Sequence, residues 1–326
     1  MSRKIKGKPT PVEGYSQTTL SDQTMRILAL DIGTNSTLHL VAEIVGTNLT
    51  VIERGIAANG LGSSIHADGR IPEDAIATNA RLIAGMVKRG EFHACQRRGA
   101  VGTQALRDAT NRDRFVSMCN QAGISLEILT PEAEALLGWT GVFGYDGPKD
   151  SSALIDLGGG SCELSWGAAS SPVWFDSIPL GAVSLSRRHF KTDPPLRDEI
   201  SAARREAGAT FSRWRGRLPA DARVTGVAGT ITAIAALELQ LPDYREGVLE
   251  SIVLTAAQIS KWSERLISLS YPDRSALPGM PPARAHSINA GALILDELMS
   301  LLSLKEITVS EWGVLFGLAF RLAEKP

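Results

Sequence analysis

Two stretches of this sequence combine an acid, glycines and hydroxyl side chains in the same order after an apolar run. The first begins at Asp31 and the second at Asp156, which three consecutive glycines at 158–160 follow. Glycine turns present backbone N–H groups without a nearby Cβ, so they can bind phosphate oxygens, and a carboxylate beside them can bind a cation. The repeated pattern favours two facing turns that clamp one phosphate chain, with plain hairpin turns as the alternative.

Two further small-residue turns, at 102–103 and 226–230, each follow a short apolar strand. Ligand sites of α/β proteins gather at such strand ends. The glycines at 158–160 do not form G-x-G-x-x-G, and strands flank them on both sides. The sequence also contains no G-x-x-x-x-G-K-[ST], H-E-x-x-H or G-x-S-x-G motif. The pattern therefore favours a phosphate-binding site. The sequence gives no support to dinucleotide-binding, P-loop, zinc-protease or esterase readings.

Composition excludes several other classes. The chain has 326 residues, 44% of them hydrophobic, and a net charge of −1, so no basic field favours nucleic acid as a partner. Three scattered cysteines form no C-x-x-C pair, which argues against a zinc site or disulfides and fits a cytoplasmic location. No apolar run approaches the ~20 residues of a membrane span, so we expect no membrane association.

The elements that must position these turns are alternating strands and helices. We predict a disordered tail at 1–24, a first domain at 25–148 that opens with a three-stranded meander, and a second domain at 149–312. A last helix at about 313–326 can pack back on the first domain. The helix at 130–143 has Thr at its N-cap and Pro in its first turn.

Four other expectations are specific enough for the structure to test. Helices are predicted at 108–123 and 196–218, and the second has Arg204, Arg205, Arg213, Arg215 and Arg217 on a solvated face. A further helix is predicted to begin at Ile231 after a Gly-Thr turn. The Pro-rich stretch 271–282 is predicted to be a loop.

These motifs together resemble those of the exopolyphosphatase / guanosine-pentaphosphate phosphohydrolase family, within the actin–sugar kinase–Hsp70 superfamily. The most specific are Thr-x-Ala-x-Arg at 103–107 and Asp-x-Gly-Gly-Gly-Ser-x-Glu at 156–163. The remaining matches lie at 30–36, 134–135, 179–183, 226–230 and 284–285. The resemblance spans 25–292 and implies an α/β fold of two ribonuclease-H-like domains facing a cleft, in a short two-domain form.

The resemblance implies hydrolysis of a terminal phosphoanhydride with Mg²⁺ or another divalent cation. Glu134 matches the Glu of the family's Glu-Ala pair, and we expect it to be the base that orients the attacking water. Glu127 and Glu132 are its competitors, although an acid at a helix N-terminus, such as Glu132, is explained by the helix dipole alone. The family usually has a Gly before this helix, where this chain has Pro131.

Metal and phosphate ligands follow from the same matches. Asp156 and Glu163 match the family's metal-linked acids, with Asp31 as a third candidate; an exposed strand position is the alternative for Glu163. Arg107 matches a phosphate-contacting arginine, and a surface ion pair is its alternative. The full set of predicted phosphate-binding residues is Asn35, Ser36, Thr103, Arg107, Gly158, Gly159, Gly160, Ser161, Gly229 and Thr230.

Two departures from the family pattern are visible. Its Arg-Ala-Asp is Arg284-Ala285-His286 here, and its late Arg-Glu-Gly is Leu315-Phe316-Gly317. The His286 side chain either replaces a hydrogen bond of the missing acid or lies half-buried on a helix, and we favour the second. The loss of the charges at 315 and 316 can change anion preference or domain packing.

The expected function is hydrolysis of the terminal phosphate of inorganic polyphosphate. Cleavage of guanosine pentaphosphate (pppGpp) is the alternative within the class, since both substrates present a terminal phosphoanhydride. A non-catalytic sensor of polyphosphate or nucleotides and a sugar or acetate kinase, which would need an adenosine pocket, are alternatives of other classes. A homodimer is expected from family habit alone.

Overall fold

The computed structural model describes residues 24–66, 68–242 and 247–324. The predicted tail lies outside these residues, apart from the exposed Thr24. The first sheet is built from five strands: β1 (Met25–Ile32), β2 (Ser36–Val45), β3 (Asn48–Ala58), β4 (Arg97–Gly102) and β5 (Leu126–Ile128). The helices associated with it are α1 (Leu61–Ser64), α2 (Glu73–Phe92), α3 (Gln104–Asp108), α4 (Arg112–Gln121) and α5 (Pro131–Phe143).

The second sheet contains β6 (Ser152–Leu157), β7 (Cys162–Gly167), β8 (Trp174–Ile178), β9 (Arg223–Val227), β10 (Val253–Thr255) and β11 (Glu306–Val309). The helices of this part of the chain are α6 (Ala182–His189), α7 (Arg197–Phe211), α8 (Ala228–Glu238), α9 (Ala256–Ser268), α10 (Tyr271–Ser275), α11 (Ile288–Leu301) and α12 (Val314–Ala323).

Both sheets share one topology. The first has the order β3-β2-β1-β4-β5, in which an antiparallel meander continues into two parallel strands. The second repeats this order as β8-β7-β6-β9-β11 and adds β10 at the far edge. Because β1 and β6 occupy equivalent central positions, the turns that follow them are structurally equivalent. The predicted α/β class and the internal repeat are confirmed.

Clusters of buried apolar residues hold the layers together. Buried residues of β1 alternate between the two faces of the first sheet, as a strand's period of two requires. Leu28 and Leu30 pack against helices α2 and α4, whereas Ile27 and Ala29 pack against α12. The largest cluster covers the second sheet with residues of α7, α8, α9 and α11. The last helix thus packs on the first sheet, while the division of the chain at 148 stays a prediction.

Two predicted helices are shorter than the sequence pattern suggested. The helix predicted at 108–123 is interrupted at 109–111, because Asn111 exchanges two hydrogen bonds of 2.9 Å with the backbone of Ile71. The helix predicted at 196–218 ends at Phe211 and continues only as a 3₁₀ turn at Ser212–Trp214. Trp214 is buried and donates its Nε1–H to Asp176 Oδ2 at 2.8 Å, which turns the chain inward.

The other two expectations need smaller corrections. The helix after β9 begins at Ala228, so Gly229 and Thr230 form its first turn rather than a preceding loop. The predicted loop at 271–282 contains α10, which Ser270 caps by accepting from the N–H of Asp273. Of the five arginines predicted on a solvated face, four are exposed and Arg204 is half-buried between Asp296 and Glu297.

Helices α5 and α12 cross in backbone contact. A Cβ on Gly141 would lie 2.0 Å from the carbonyl oxygen of Gly313, and one on Gly317 would lie 2.0 Å from that of Leu137. Real Cβ atoms do not approach backbone this closely, so both positions require glycine. The crossing joins the helix that leaves the first sheet to the one that returns to it.

We expect Gly317→Ala to destabilise the protein by about 1–3 kcal/mol, because the added methyl group must push two helices apart. Gly85→Ala is the matched control: it lies within helix α2 with no atom within 4 Å of the added Cβ. That change should stabilise the fold by roughly 0.5–1 kcal/mol. Urea unfolding measures both, and equal free energies of unfolding for the two variants would contradict the crossing.

Candidate active site

A polar cavity of about 120 Å³ lies where the two sheets face each other. The turns after β1 and β6, the first turn of α8 and the segment after β11 form its walls. Its volume has room for several water-sized groups and is far below the ~300–1,000 Å³ of a pocket that encloses a drug-sized ligand. The cavity is therefore matched to small, strongly polar groups.

The turns after β1 and β6 have the same internal geometry. Gly33 N–H donates to the carbonyl of Ser36 at 3.0 Å, and Gly158 N–H donates to that of Ser161 at 3.1 Å. Asp31 and Asp156 lie at equivalent places before these turns. The structure thus brings together the two copies of the motif that the sequence predicted, as facing turns on the two sheets.

The facing turns touch each other directly. A Cβ on Gly160 would lie 2.4 Å from Thr34 Oγ1, so only glycine permits this approach. Further contacts cross between the two halves: Asn35 Nδ2 donates to the carbonyl of Ala283 at 2.8 Å, and Arg187 donates to that of Gly62. Thr34 lines the cavity and is absent from the predicted site residues.

Five carboxylates line this cavity: Asp31, Glu134, Asp156, Glu163 and Glu311. Burial, and then the charges of Glu134 and Asp156, raise the pKa of Asp31 from 3.8 to about 8, against a smaller opposing effect of Arg284. Burial and Glu134 raise the pKa of Asp156 to about 7. Burial, with Glu134 and Asp156 next, also holds the pKa of Glu163 well above its usual value. The nearby arginines therefore offset only part of the negative charge of this cluster.

Glu163 is a buried cavity residue and not an exposed strand position. It lies directly opposite Asp156 in the β6–β7 pair and is 4% exposed. Ser177 Oγ donates to its Oε1 at 2.7 Å. On the first sheet, Asp31 Oδ1 is buried without a hydrogen-bond partner among the described residues. An unsatisfied buried acid oxygen is an unstable arrangement unless a cation or proton accompanies it.

Glu134 lies in the first turn of α5, which Thr130 caps by accepting from the N–H of Ala133. The side chain of Glu134 is buried and forms an ion pair with Arg107. Burial raises the pKa of Glu134, and the charge and hydrogen bond of Arg107 oppose that rise. The competing acids are both exposed, and Glu127 pairs with Arg321 at 2.6 Å instead.

Arg107 is neither a surface ion pair nor a cavity-lining residue. Its Nη1 donates to Glu134 and to the carbonyl of Leu129, and its Nη2 donates to Gln104 Oε1 at 2.8 Å. Thr230 also lies outside the lining, packed against Gly291. Every other predicted phosphate-binding or metal-binding residue lines the cavity.

An arginine that is absent from the predicted site residues lies at the other side of the cavity. Arg284 lines it, and its guanidinium lies so close to Gly229 that a Cβ there would be 2.0 Å from its Cζ. Its Nη2 donates to Ser36 Oγ at 3.2 Å. Burial lowers the pKa of Arg284 to about 10, and Asp31 opposes that shift. The Arg-Ala match at 284–285 was the signal that could have identified it.

The two departures from the family pattern have structural outcomes. His286 is exposed, precedes α11 and stacks on Tyr271 at 3.9 Å between ring centroids, so the half-buried helix position was wrong. Phe316 is fully buried on α12, with the guanidinium of Arg54 5.2 Å from its ring centroid.

The segment after β11 also contributes lining residues that sequence reasoning missed. Glu311 and Trp312 line the cavity together with Arg54 of β3, whose Nη2 donates to the carbonyl of Glu311 at 2.9 Å. In the sequence, Glu311 and Trp312 are marked only by their position after a strand, which is also the feature that identified the other four turns.

Two sheets of one topology that face each other across glycine turns and carboxylates define the fold and the candidate site of this protein. The chain belongs to the Ppx/GppA phosphatase family, whose model matches residues 40–325. The resemblance inferred from the motifs is thus confirmed, and the family is one of hydrolases. No helix in the described ranges is long and apolar enough to cross a membrane.

Several known proteins are similar over nearly the full chain. Exopolyphosphatase 2 of Mycobacterium tuberculosis is 32% identical over 316 residues, which cover 91% of this chain and 98% of that protein. Exopolyphosphatase 1 of Mycobacterium leprae is 27% identical over 91% of this chain and 89% of its own. The Aquifex aeolicus Ppx/GppA structure superposes with a TM-score of 0.78 at 28% identity, covering 92% of this chain and 97% of that one.

A structure of an exopolyphosphatase from Cytophaga hutchinsonii has the same fold. Its TM-score is 0.80 at 24% identity, with 92% of this chain and 98% of that chain covered. These likenesses confirm the actin-like, ribonuclease-H-like fold class predicted from the sequence.

We expect Asp31→Asn to stabilise the metal-free protein at pH 8 by roughly 1–3 kcal/mol, because it removes an acid whose buried Oδ1 has no hydrogen-bond partner among the described residues. A folded-state pKa of about 8 exceeds the unfolded value near 3.8, so the folded state binds more protons and its stability falls as the pH rises between them. Thermal unfolding in EDTA at pH 5 and pH 8 measures this. A stabilisation that is equal at both pH values would contradict the raised pKa.

Proposed function

We propose that the protein is an exopolyphosphatase, which hydrolyses the terminal phosphoanhydride of inorganic polyphosphate and releases phosphate. The observation that carries this proposal is the small cavity in which glycine turns of both sheets face a buried carboxylate cluster. The relatives named exopolyphosphatase support it, since Exopolyphosphatase 2 of Mycobacterium tuberculosis is 32% identical over 91% of this chain. A cavity of about 120 Å³ suits phosphoryl groups and leaves the remaining polymer outside.

The catalytic step needs an oriented water and neutralised phosphoryl charge. We assign Glu134 to the water: it is buried, lies at the cavity wall, and has a raised pKa that makes it a stronger base when ionised. The backbone N–H groups of the turns at 33–36 and 158–161 would bind the terminal phosphoryl oxygens. Arg284, the half-buried cation of the lining, would balance the negative charge of the chain.

The donor set fits a divalent cation shared with the substrate. The cavity acids offer oxygen ligands, and Asp31 Oδ1 has no hydrogen-bond partner in the described chain. Yet no three His, Cys, Asp or Glu side chains among the described residues are placed to hold a metal together. Mg²⁺ is commonly bound by one or two carboxylates plus phosphates and waters. Asp156 and Glu163, with Asp31 opposite, would hold it, and it would neutralise phosphoryl charge.

Cleavage of pppGpp stays the alternative within the class, because it presents the same terminal group to the same cavity. The proposal also includes a homodimer and a cytoplasmic location, both on the family resemblance. Phosphate release from polyphosphate and from pppGpp, measured side by side with Mg²⁺, tests the substrate. Binding of polyphosphate without phosphate release would instead indicate a sensor.

Glu134→Gln should lower kcat on polyphosphate by about 10²–10⁴-fold, the usual contribution of general acid–base catalysis. Glu132→Gln is the matched control, since Glu132 is exposed two residues away in the same helix turn. It should retain kcat within about 2-fold, as surface substitutions do. Full activity in the Glu134 variant would overturn the assignment of the base.

Arg107→Ala should reduce kcat/KM more strongly at pH 6 than at pH 8. Without Arg107 the pKa of Glu134 rises further, so less of the base is ionised at low pH and the acidic limb of the profile moves to higher pH. Arg107→Lys keeps the charge and should shift that limb less. A pH–rate profile of each variant measures the effect, and parallel profiles would contradict the coupling of the two residues.

A further inference from the structure

We propose that Ser177 is a positioning residue that orients the Glu163 carboxylate for the divalent cation. The inference rests on the proposed function, because it concerns the same carboxylate cluster. Glu163 is assigned to the cation through the family motif, whereas Ser177, on the neighbouring strand, belongs to none of the motifs or the cavity lining.

The sheet places three polar side chains in one row. Asp156 on β6 pairs directly with Glu163 on β7, and Glu163 pairs directly with Ser177 on β8. Residues opposite each other on adjacent strands present their side chains on the same face. Glu163 is therefore held between a repelling carboxylate on one side and a hydrogen-bond donor on the other.

The contact itself is short and protected. Ser177 Oγ donates to Glu163 Oε1 at 2.7 Å, and Glu163 is 4% exposed, so water competes little for this bond. A hydroxyl that donates to a buried carboxylate fixes which oxygen faces the donor, and Ser161 adds a second side-chain hydrogen bond to Glu163. Repulsion from Asp156 and Glu134 would otherwise turn the carboxylate away from the cluster.

The strand that bears Ser177 is itself anchored. β8 is the edge strand next to β7, so its outer side lacks a strand partner in the described sheet. Arg213 Nη2 donates at 2.8 Å both to the carbonyl of Ser177 and to Asp176 Oδ1. Trp214 Nε1 donates to Asp176 Oδ2 at 2.8 Å. These bonds hold the edge strand, and with it the hydroxyl, at a fixed distance from Glu163.

The direct test is the affinity of the full chain for Mn²⁺ and Mg²⁺, measured by calorimetry without polyphosphate. Ser177→Ala should weaken it by about 10–100-fold, as loss of a ligand-orienting contact does. Ser177→Thr keeps the hydroxyl and should retain the cation affinity of the wild-type protein. Ser152→Ala is the matched control, because Ser152 is a buried serine of β6, on the other side of β7 in the same sheet, whose hydroxyl donates to the carbonyl of Asp150. Unchanged affinity in Ser177→Ala would overturn the inference.

A double-mutant cycle separates orientation from general damage to the fold. If Ser177 acts through Glu163, then adding Ser177→Ala to Glu163→Gln should change cation affinity by less than about 2-fold. Additive losses would overturn the inference. In turnover, Ser177→Ala should raise the Mg²⁺ concentration for half-maximal rate and leave kcat at saturating Mg²⁺ nearly unchanged.

Failure of the proposed function gives a different result. Wild-type protein that binds the cation but releases no phosphate from polyphosphate would overturn the proposed substrate, while the loss of affinity in Ser177→Ala would still support the role of Ser177. Wild-type protein without measurable cation affinity would overturn the inference on Ser177.

Discussion

Mutual repulsion among the carboxylates of Asp31, Glu134, Asp156 and Glu163 is the constraint on which the cleft depends. Asp31 and Asp156 come from the two sheets, Glu163 from the strand beside Asp156, and Glu134 from the helix between the sheets. Burial makes each charge costly, and proximity makes the set costlier than its members. Arg107 and Arg284 offset only part of this charge, as the raised pKa values of Asp31 and Asp156 show. Under the proposed function, a divalent cation would offset the remaining negative charge.

The rest of the architecture explains how the acids come so close. Each sheet presents its central strand's end toward the other, and the turn that follows is small enough to touch its counterpart. Repetition of one topology in both halves gives the site an approximate symmetry, with an acid and a glycine turn from each side. The symmetry ends at Glu134 and Glu163, which distinguish the two sides chemically.

Motifs at strand ends were predictable from the sequence, because the same few residues both form the turn and carry its polar groups. Asp31, Asp156 and the glycines at 158–160 belong to this group. Contacts made across the fold were not predictable in the same way. Nothing near Arg107 in the sequence shows that its guanidinium meets Glu134, and Asn111 ends a helical pattern through bonds to Ile71, 40 residues earlier. The inward turn at Trp214 likewise depends on Asp176, a residue of another strand.

The backbone crossing of α5 and α12 differs in kind from the side-chain contacts between the halves. Side-chain bonds such as Asn35 to Ala283 or Arg187 to Gly62 can break and re-form with water as the substitute partner. Gly141 and Gly317 instead bring two main chains into contact, without side chains that could rearrange. The crossing thus fixes the spacing of α5 and α12 more firmly than the side-chain bonds fix the spacing of the turns. Glu134 lies seven residues from Gly141, about 10 Å along the same helix, so this acid is held by the helix that the crossing positions.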